Sequence, residues 1–352
     1  MAPTALLTGT PGAVLEAVAA ALTAAGFAPR HVPMGSDGSV RLEIAPVRVA
    51  AVIHLGLRTP RELDERLRGD AEATAAAGAA ELARASGARR LVHVSTVSVY
   101  GQPRNLPCRE GELKAPRTAH ERIRWRAEQA SWAAFRRGAP LTVLRPTILY
   151  GPTLRGGPVR VLSLVALFNQ GKRRVPILRR GPVAHLVHVD DLARAVAHVA
   201  SHPDDRAVVG RAFNVGDDAP LPLAEHLDAA LSALGYEPGR ILPAAPRLGA
   251  ALLWLFRHVP DRALLDPINR RLAARWTALA GRVGASAAAA PRIDREALHW
   301  MSADHYYDTS RLCGIGWRPI HPVSTGPVRE TIRALVAHGF LPGSGANALP
   351  AW

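Results

Sequence analysis

Lysine is nearly missing from this 352-residue chain, in which Lys114 and Lys172 are the only two. The net charge of +15 therefore rests on arginine, scattered along a chain rich in alanine, glycine and proline. Scatter of that kind reads as coding bias rather than as a binding face. No zinc-ligand spacing, aromatic-interleaved basic stripe or helix-turn-helix signal accompanies it, so no nucleic-acid partner is expected. The one dense basic run, Lys172 to Arg174 with Arg179 and Arg180, reads as a solvated loop. Cysteine is equally scarce: Cys108 and Cys313 lie far apart without ligand-type neighbours, which excludes a disulfide framework and leaves no metal site expected. Long apolar runs are also missing. The longest strongly apolar helical run, Leu248 to Phe256, stops at Arg257, too short to span a bilayer. Nothing resembling a signal peptide precedes the first apolar run at Ala5 to Leu7, so a cytoplasmic location is expected.

What is present is an alternation. Short apolar runs at Thr4–Thr8, Ala50–Leu55, Arg90–Ser95, Leu141–Arg145 and Ala212–Val215 are separated by alanine-rich helical patterns. The helices are expected over Gly12–Ala25, about Arg68–Ser86, His120 to about Arg137, and Leu192–Ala200 with Asp190 or Asp191 as cap. A weak second strand is expected near Arg30–Met34. This is the pattern of βαβ units and a parallel sheet. The remainder is less regular, with helical patterns at Leu223–Leu234 and within Pro260–Ala290, an alanine-rich link at Ser286–Pro291 that reads as mobile, and a loose tail over 343–352.

Three motifs carry chemistry. Thr8-Gly9-Thr10-Pro11-Gly12-Ala13-Val14-Leu15 lies between a strand and a helix, where a glycine-rich loop sets backbone amides against a pyrophosphate. Leu91 to Gly101 ends a strand in Ser95-Thr96-Val97-Ser98-Val99-Tyr100. Thr118 to Glu128 opens a helix that carries His120 and Arg124 on one face, four residues apart. Together with Val52-Ile53-His54-Leu55-Gly56, Arg145-Pro146…Tyr150-Gly151-Pro152, and Asp308…Gly316-Trp317-Arg318-Pro319, these segments resemble the extended short-chain dehydrogenase/reductases, the NAD-dependent epimerase/dehydratase group. The resemblance runs from about residue 4 to residue 336.

It implies a doubly wound Rossmann sheet with a smaller C-terminal substrate lobe. The dinucleotide-binding core would span 1–153, completed by 183–217, and the lobe 154–182 and 218–342. It implies NAD or NADP as cofactor, held by Gly9, Thr10, Pro11, Gly12, Ala13, Leu55, Gly56, Ser95, Arg124 and Pro146. It also implies a small-molecule substrate and a homodimer through the helices near 68–86 and 118–137. The family's third loop glycine is Leu15 here, a loss felt first in packing. No acidic residue stands at the end of the second strand to hold the ribose. Asp37 comes slightly late, and Arg30 or Arg41 could meet a 2′-phosphate, so NAD and NADP both stay open. His54 reads as a packed structural residue, and Tyr100 as structural or substrate-lining.

The departure that matters is catalytic. The family opens its active-site helix with Tyr-x-x-x-Lys; here those places hold His120 and Arg124. Thr96 would bond a substrate oxygen. Arg124 keeps the positive charge at the ribose with a different geometry. Histidine ordinarily titrates near 6.5, and a neighbouring guanidinium favours the neutral ring, usable as base or donor. Two readings stand: an oxidoreductase or epimerase with a substituted acid/base pair, or a binding protein whose site has decayed. The family's nucleotide-contacting arginine falls at about Ala184 or His185, which lends weight to a hydrophobic, hydroxysteroid-like substrate. The apolar helices Leu248–Phe256 and Leu272–Leu279 could serve it, although core is the better reading for both.

Overall fold

Runs of valine, leucine and isoleucine with no polar alternation can be buried on both faces, as the strands of a parallel sheet require. The computed structural model describes residues 2–40, 48–57, 64–154, 158–169, 172–178, 181–242, 259, 263–294, 300 and 302–342. In it these runs become β1 (Thr4–Thr8), β3 (Val49–His54), β4 (Arg90–Val94) and β5 (Leu141–Pro146), almost wholly buried, with β2 (Ala28–Val32) at an edge. With the strand Arg211–Val215 they form one six-stranded sheet in the order Arg211–Val215, β5, β4, β3, β1, β2, every pairing parallel. The chain leaves β1 toward β2 on one side and resumes at β3 on the other. That reversal opens a crevice beyond the carboxyl ends of β1 and β3, the place where such sheets take ligands.

Two layers of helix cover the sheet. On one face α1 (Ala13–Ala24) and the helix Val189–Ser201 bury Val18, Leu22, Leu192 and Val196 against β1, β3 and β4. On the other, α2 (Glu65–Ala85) lays a stripe of Ala75, Ala76, Ala79, Ala80 and Ala83 toward the sheet and α3 (Ala119–Phe135). Side chains that small let the α2 backbone come close. The starts of both helices are written in the sequence. Asp64 accepts the Arg66 amide, and Thr118 with Glu121 forms a reciprocal capping box.

Two elements differ from expectation. The cap of the Val189–Ser201 helix is His188, whose Nδ1 accepts the Asp190 amide, and neither aspartate caps it. Asp191 is instead buried and receives the amides of Ile320 and His321 at 2.6 and 3.1 Å, because a distant segment supplies donors to it. The link Ser286–Pro291 is also no loose tether. It holds a 3₁₀ turn at Ala287–Ala289, Ala289 is buried, and the Ser286 carbonyl accepts the indole N–H of Trp276 at 3.0 Å.

The chain divides into two compact units: residues 1–149, 185–218 and 306–322, and residues 150–184, 219–305 and 323–352. Tyr306–Pro322 joins the first unit because Leu312 and Trp317 are buried in the core beneath α1 and the Val189–Ser201 helix. The second unit contains the helices Pro158–Phe168, Leu223–Ala233, Leu265–Val283 and Thr325–Ala337 with two short strand pairs. Leu272, Trp276 and Leu279 are its core, as the core reading of that helix had it. Arg41, Arg179, Arg180, the run Leu248–Phe256 and the tail 343–352 lie outside the described residues. Among the described residues no helix is long and apolar enough to cross a membrane.

Candidate active site

The loop after β1 is shaped by two glycines. Gly9 has φ +135°, and a Cβ there would lie 2.8 Å from the Gly56 carbonyl oxygen and 3.2 Å from Leu55 Cβ. The Thr10 amide bonds that same Gly56 carbonyl at 3.1 Å, so the ends of β1 and β3 are stitched together at the crevice. Gly12 has φ +153° and is the N-cap of α1. Its Cβ position faces open space, and α1 begins without any side-chain cap. Helix-start amides left uncapped beside such a space suit an anion. Pro11 is exposed at the loop tip, and Ala13 opens the helix. Leu15, in place of a third glycine, packs against the core. His31, on β2, bonds the Gly9 carbonyl through Nε2 at 3.0 Å, a contact the sequence did not signal.

Arg124 lies one helical turn beyond His120. Its guanidinium rests on Gly56, where a Cβ would overlap Nη1. Nη2 donates to the Val94 carbonyl at 2.8 Å, and Nη1 pairs with Glu72 at 3.3 Å, both side chains largely buried. Glu72 Oε2 also accepts the Leu57 amide. Sequence reasoning passed over Glu72, although an acid in register with Ala75, Ala76 and Ala79 on the inward face of α2 was a usable signal. Three of the five guanidinium N–H groups remain for other partners.

Thr96 sits where β4 gives way to a 3₁₀ turn, Val97–Tyr100, against which α3 packs. Its hydroxyl oxygen accepts the Ser98 amide at 3.2 Å, which leaves the hydroxyl hydrogen to donate. His120 is half-buried in the first turn of α3. Ser95 turns inward: its hydroxyl donates to Glu128 at 2.6 Å and its amide to the Leu144 carbonyl. Pro146 ends β5 opposite Val215.

Beneath the site lies a buried polar network. Arg145 holds Glu128 with two N–H groups and Tyr100 Oη with a third at 2.7 Å, while Tyr100 donates to Asn214 at 2.8 Å. Burial raises the Glu128 carboxyl, and the Arg145 charge with bonds from Ser95 and Trp132 more than reverses this, for a net lowering. Burial drives the Tyr100 phenol up, well out of range of proton transfer at neutral pH. Tyr100 is thus a structural member of the network. Lys114 lies 5.0 Å above the Tyr100 ring and lines a cavity of about 340 Å³ with Trp125, Trp132 and Arg211, in which none of the expected site residues takes part.

Two buried imidazoles stand side by side on β3 and β4. His54 Nδ1 meets Thr8 Oγ1 at 3.0 Å, His93 Nδ1 meets Ser131 Oγ at 2.9 Å, and the ring centroids are 5.2 Å apart. Burial, with His93 and Arg124 nearby, holds His54 well below its ordinary value; burial, with Arg124 and Arg145, brings His93 down to about 3. Both rings are neutral packing groups. His185 is buried too, with Nε2 on the Asp217 carbonyl and Nδ1 accepting the Tyr307 amide.

A family model, the NAD dependent epimerase/dehydratase family, matches residues 28–216. The chain belongs to that family. A "3-diazoavenalumate denitrifying reductase" from a Streptomyces species is 30% identical over 246 residues, covering 65% of this chain and 73% of that protein. Solved structures agree in fold. A UDP-galactose 4-epimerase superposes with a TM-score of 0.62 at 16% identity, covering 95% of this chain and 99% of that one. RMD from Pseudomonas aeruginosa, solved with NADPH, gives 0.61 at 18% identity over 94% and 98%. A short-chain dehydrogenase/reductase superfamily protein from Agrobacterium tumefaciens, solved with NAD, gives 0.62 at 18% over 95% and 97%. Family and reductase relative point to an NAD(P)-dependent oxidoreductase or epimerase, with NAD or NADP as its cofactor. The residues present fit a dinucleotide: the uncapped start of α1, the open space before Gly12 and the Gly9–Gly56 seam form a cradle that side chains would fill.

Proposed function

We propose that this epimerase/dehydratase-family chain transfers hydride to or from a small molecule at a secondary alcohol or ketone carbon. Gly9 to Ala13 and Leu55-Gly56 hold the dinucleotide, and Arg124 turns a spare N–H toward its ribose. The bound nicotinamide supplies the hydride donor or acceptor. Thr96 donates its free hydroxyl hydrogen to the substrate oxygen, and a ring nitrogen of His120 gives or takes the proton that a tyrosine handles in the rest of the family. The observation that carries this reading is Thr96: its oxygen is satisfied by the Ser98 amide while its hydrogen is not used. The substrate is best sought among hydrophobic molecules, because buried His185 serves the interior where sugar-nucleotide enzymes present an arginine.

Fluorescence titration should show NADH or NADPH binding in the micromolar range. His120→Ala should leave that binding within about twofold and lower kcat on a ketone panel by about 10²–10⁴, the usual worth of a general acid. Unchanged turnover would remove His120 from the chemistry.

A second reading follows from the reductase relative, whose name describes loss of nitrogen from a diazo compound. A diazonium carbon that takes up hydride releases dinitrogen and leaves no alkoxide to protonate. A site without the family's tyrosine suits that reaction equally well. Turnover of an aryl diazonium acid, unaffected by His120→Ala, would select it over the ketone reading.

A further inference from the structure

Two stretches distant in sequence bring an unusual trio together. His188 precedes the Val189–Ser201 helix, Asp190 lies in its first turn, and His321 follows the Trp317-Arg318-Pro319 segment. One potential ligand atom from each lies within 4.8 Å of the others. His188 Nδ1 and Asp190 Oδ2 are 3.6 Å apart, and the two imidazole centroids 4.3 Å apart in an edge-on arrangement.

We propose that His188, Asp190 and His321 form a divalent-metal site of the zinc and cobalt class, which clamps the C-terminal segment to the start of this helix. Two imidazoles and a carboxylate are a usual protein contribution to zinc, with solvent free to complete the shell. Ligand atoms about 2.0–2.2 Å from a tetrahedral ion stand roughly 3.4 Å from one another. The 3.6 Å pair already meets that spacing, and the widest pair needs to close by little more than an ångström. The scaffold is fixed where it matters. Asp191, buried, grips the amides of Ile320 and His321 and so sets the backbone that carries the third ligand. Such outer partners commonly orient metal ligands. At His188 Nδ1 the ion would replace the long 3.3 Å contact from the Asp190 amide. Because Asp190 is about half exposed, an ion can enter from solvent. The site was invisible in the sequence, since its halves share no local spacing.

The test uses the full-length chain, stripped with a chelator and titrated with Zn²⁺ by calorimetry. About one equivalent should bind and raise the melting temperature, because an ion that binds only the native state stabilises it. Co²⁺ should give visible d–d absorption. His321→Gln and Asp190→Asn should each weaken zinc binding by at least about tenfold, a floor set by the effect of losing mere outer-sphere partners. Both should abolish the melting shift, while exposed His338→Gln changes nothing. No uptake at about 100 μM zinc overturns the proposal, as does uptake indifferent to both variants. Should His321→Gln fail to fold, Asp190→Asn decides alone, since its exposed side chain leaves the core untouched.

Discussion

At the scale of single residues, the site is governed by groups that cannot be exchanged for their nearest relatives. Gly12 occupies a region of backbone space nearly closed to L side chains, and its missing Cβ faces the open space before α1. Gly12→Ala should cost about 1–3 kcal/mol in strain, read as a lower urea midpoint. It should also weaken NADH and NADPH alike by about tenfold or more in fluorescence titration. Equal affinity in this variant would remove the loop from cofactor binding. Glu72 is the second such residue. Its carboxylate balances Arg124 in a largely buried setting. Glu72→Gln should destabilise by about 2–3 kcal/mol, somewhat under the ~3–5 of a wholly buried pair because Arg124 keeps some solvent. Adding Arg124→Met to Glu72→Gln should restore part of that loss by removing the uncompensated charge. A double variant no more stable than Glu72→Gln would show that the pair contributes nothing specific.

At the scale of elements, α3 is the part to perturb, since its first two turns carry His120 and Arg124 and its middle carries Glu128 into the network. The reciprocal bonds of Thr118 and Glu121 define where the helix begins. Thr118→Ala removes one of them and should cost about 1 kcal/mol by denaturant titration. Fraying should concentrate in the first turn, visible as faster amide exchange at Arg122, whose amide bonds the Thr118 carbonyl, with Ile123 onward protected as in the parent. Uniform protection across α3 would mean that packing, not the cap, fixes the start. The helix itself was expected from His120 onward, and Thr-x-x-Glu just ahead of it is a local signal of where it begins. The His188 cap was not legible, since choosing it over two adjacent aspartates depends on where the Ile320 and His321 amides fall.

At the scale of the molecule, acid stability should be set by buried imidazoles before carboxylates. His93 titrates at about 3 in the folded chain and near 6.5 when unfolded, and His54 is depressed likewise. Between those values the unfolded state binds more protons, so stability rises with pH, is fully present above about 6.5 and drains away as pH falls toward 3. Each such histidine adds a slope of at most about 1.4 kcal/mol per pH unit. Glu128, whose folded value is depressed, contributes above the ordinary carboxyl range and is lost only as pH falls through its lower native value. Urea midpoints should therefore decline from about pH 6.5 downward. His93→Asn should flatten that decline even though the variant is less stable at pH 7. A profile flat from 6.5 to 5 would mean that these rings are protonated in place.

The alternation of strands and helices, the glycine loop and the helix that carries His120 and Arg124 on one face were settled by the sequence itself. Each is a local matter of apolar period, turn chemistry or register within one segment. The tertiary structure alone decided what the charged and polar groups do inside. Ser95 belongs to Glu128, Arg124 is balanced by Glu72, Asp191 grips a segment far along the chain, and His188 meets His321. A buried charge or hydrogen-bonding group must find a partner wherever the fold brings one, and the distance between partners in sequence carries no trace of their distance in space.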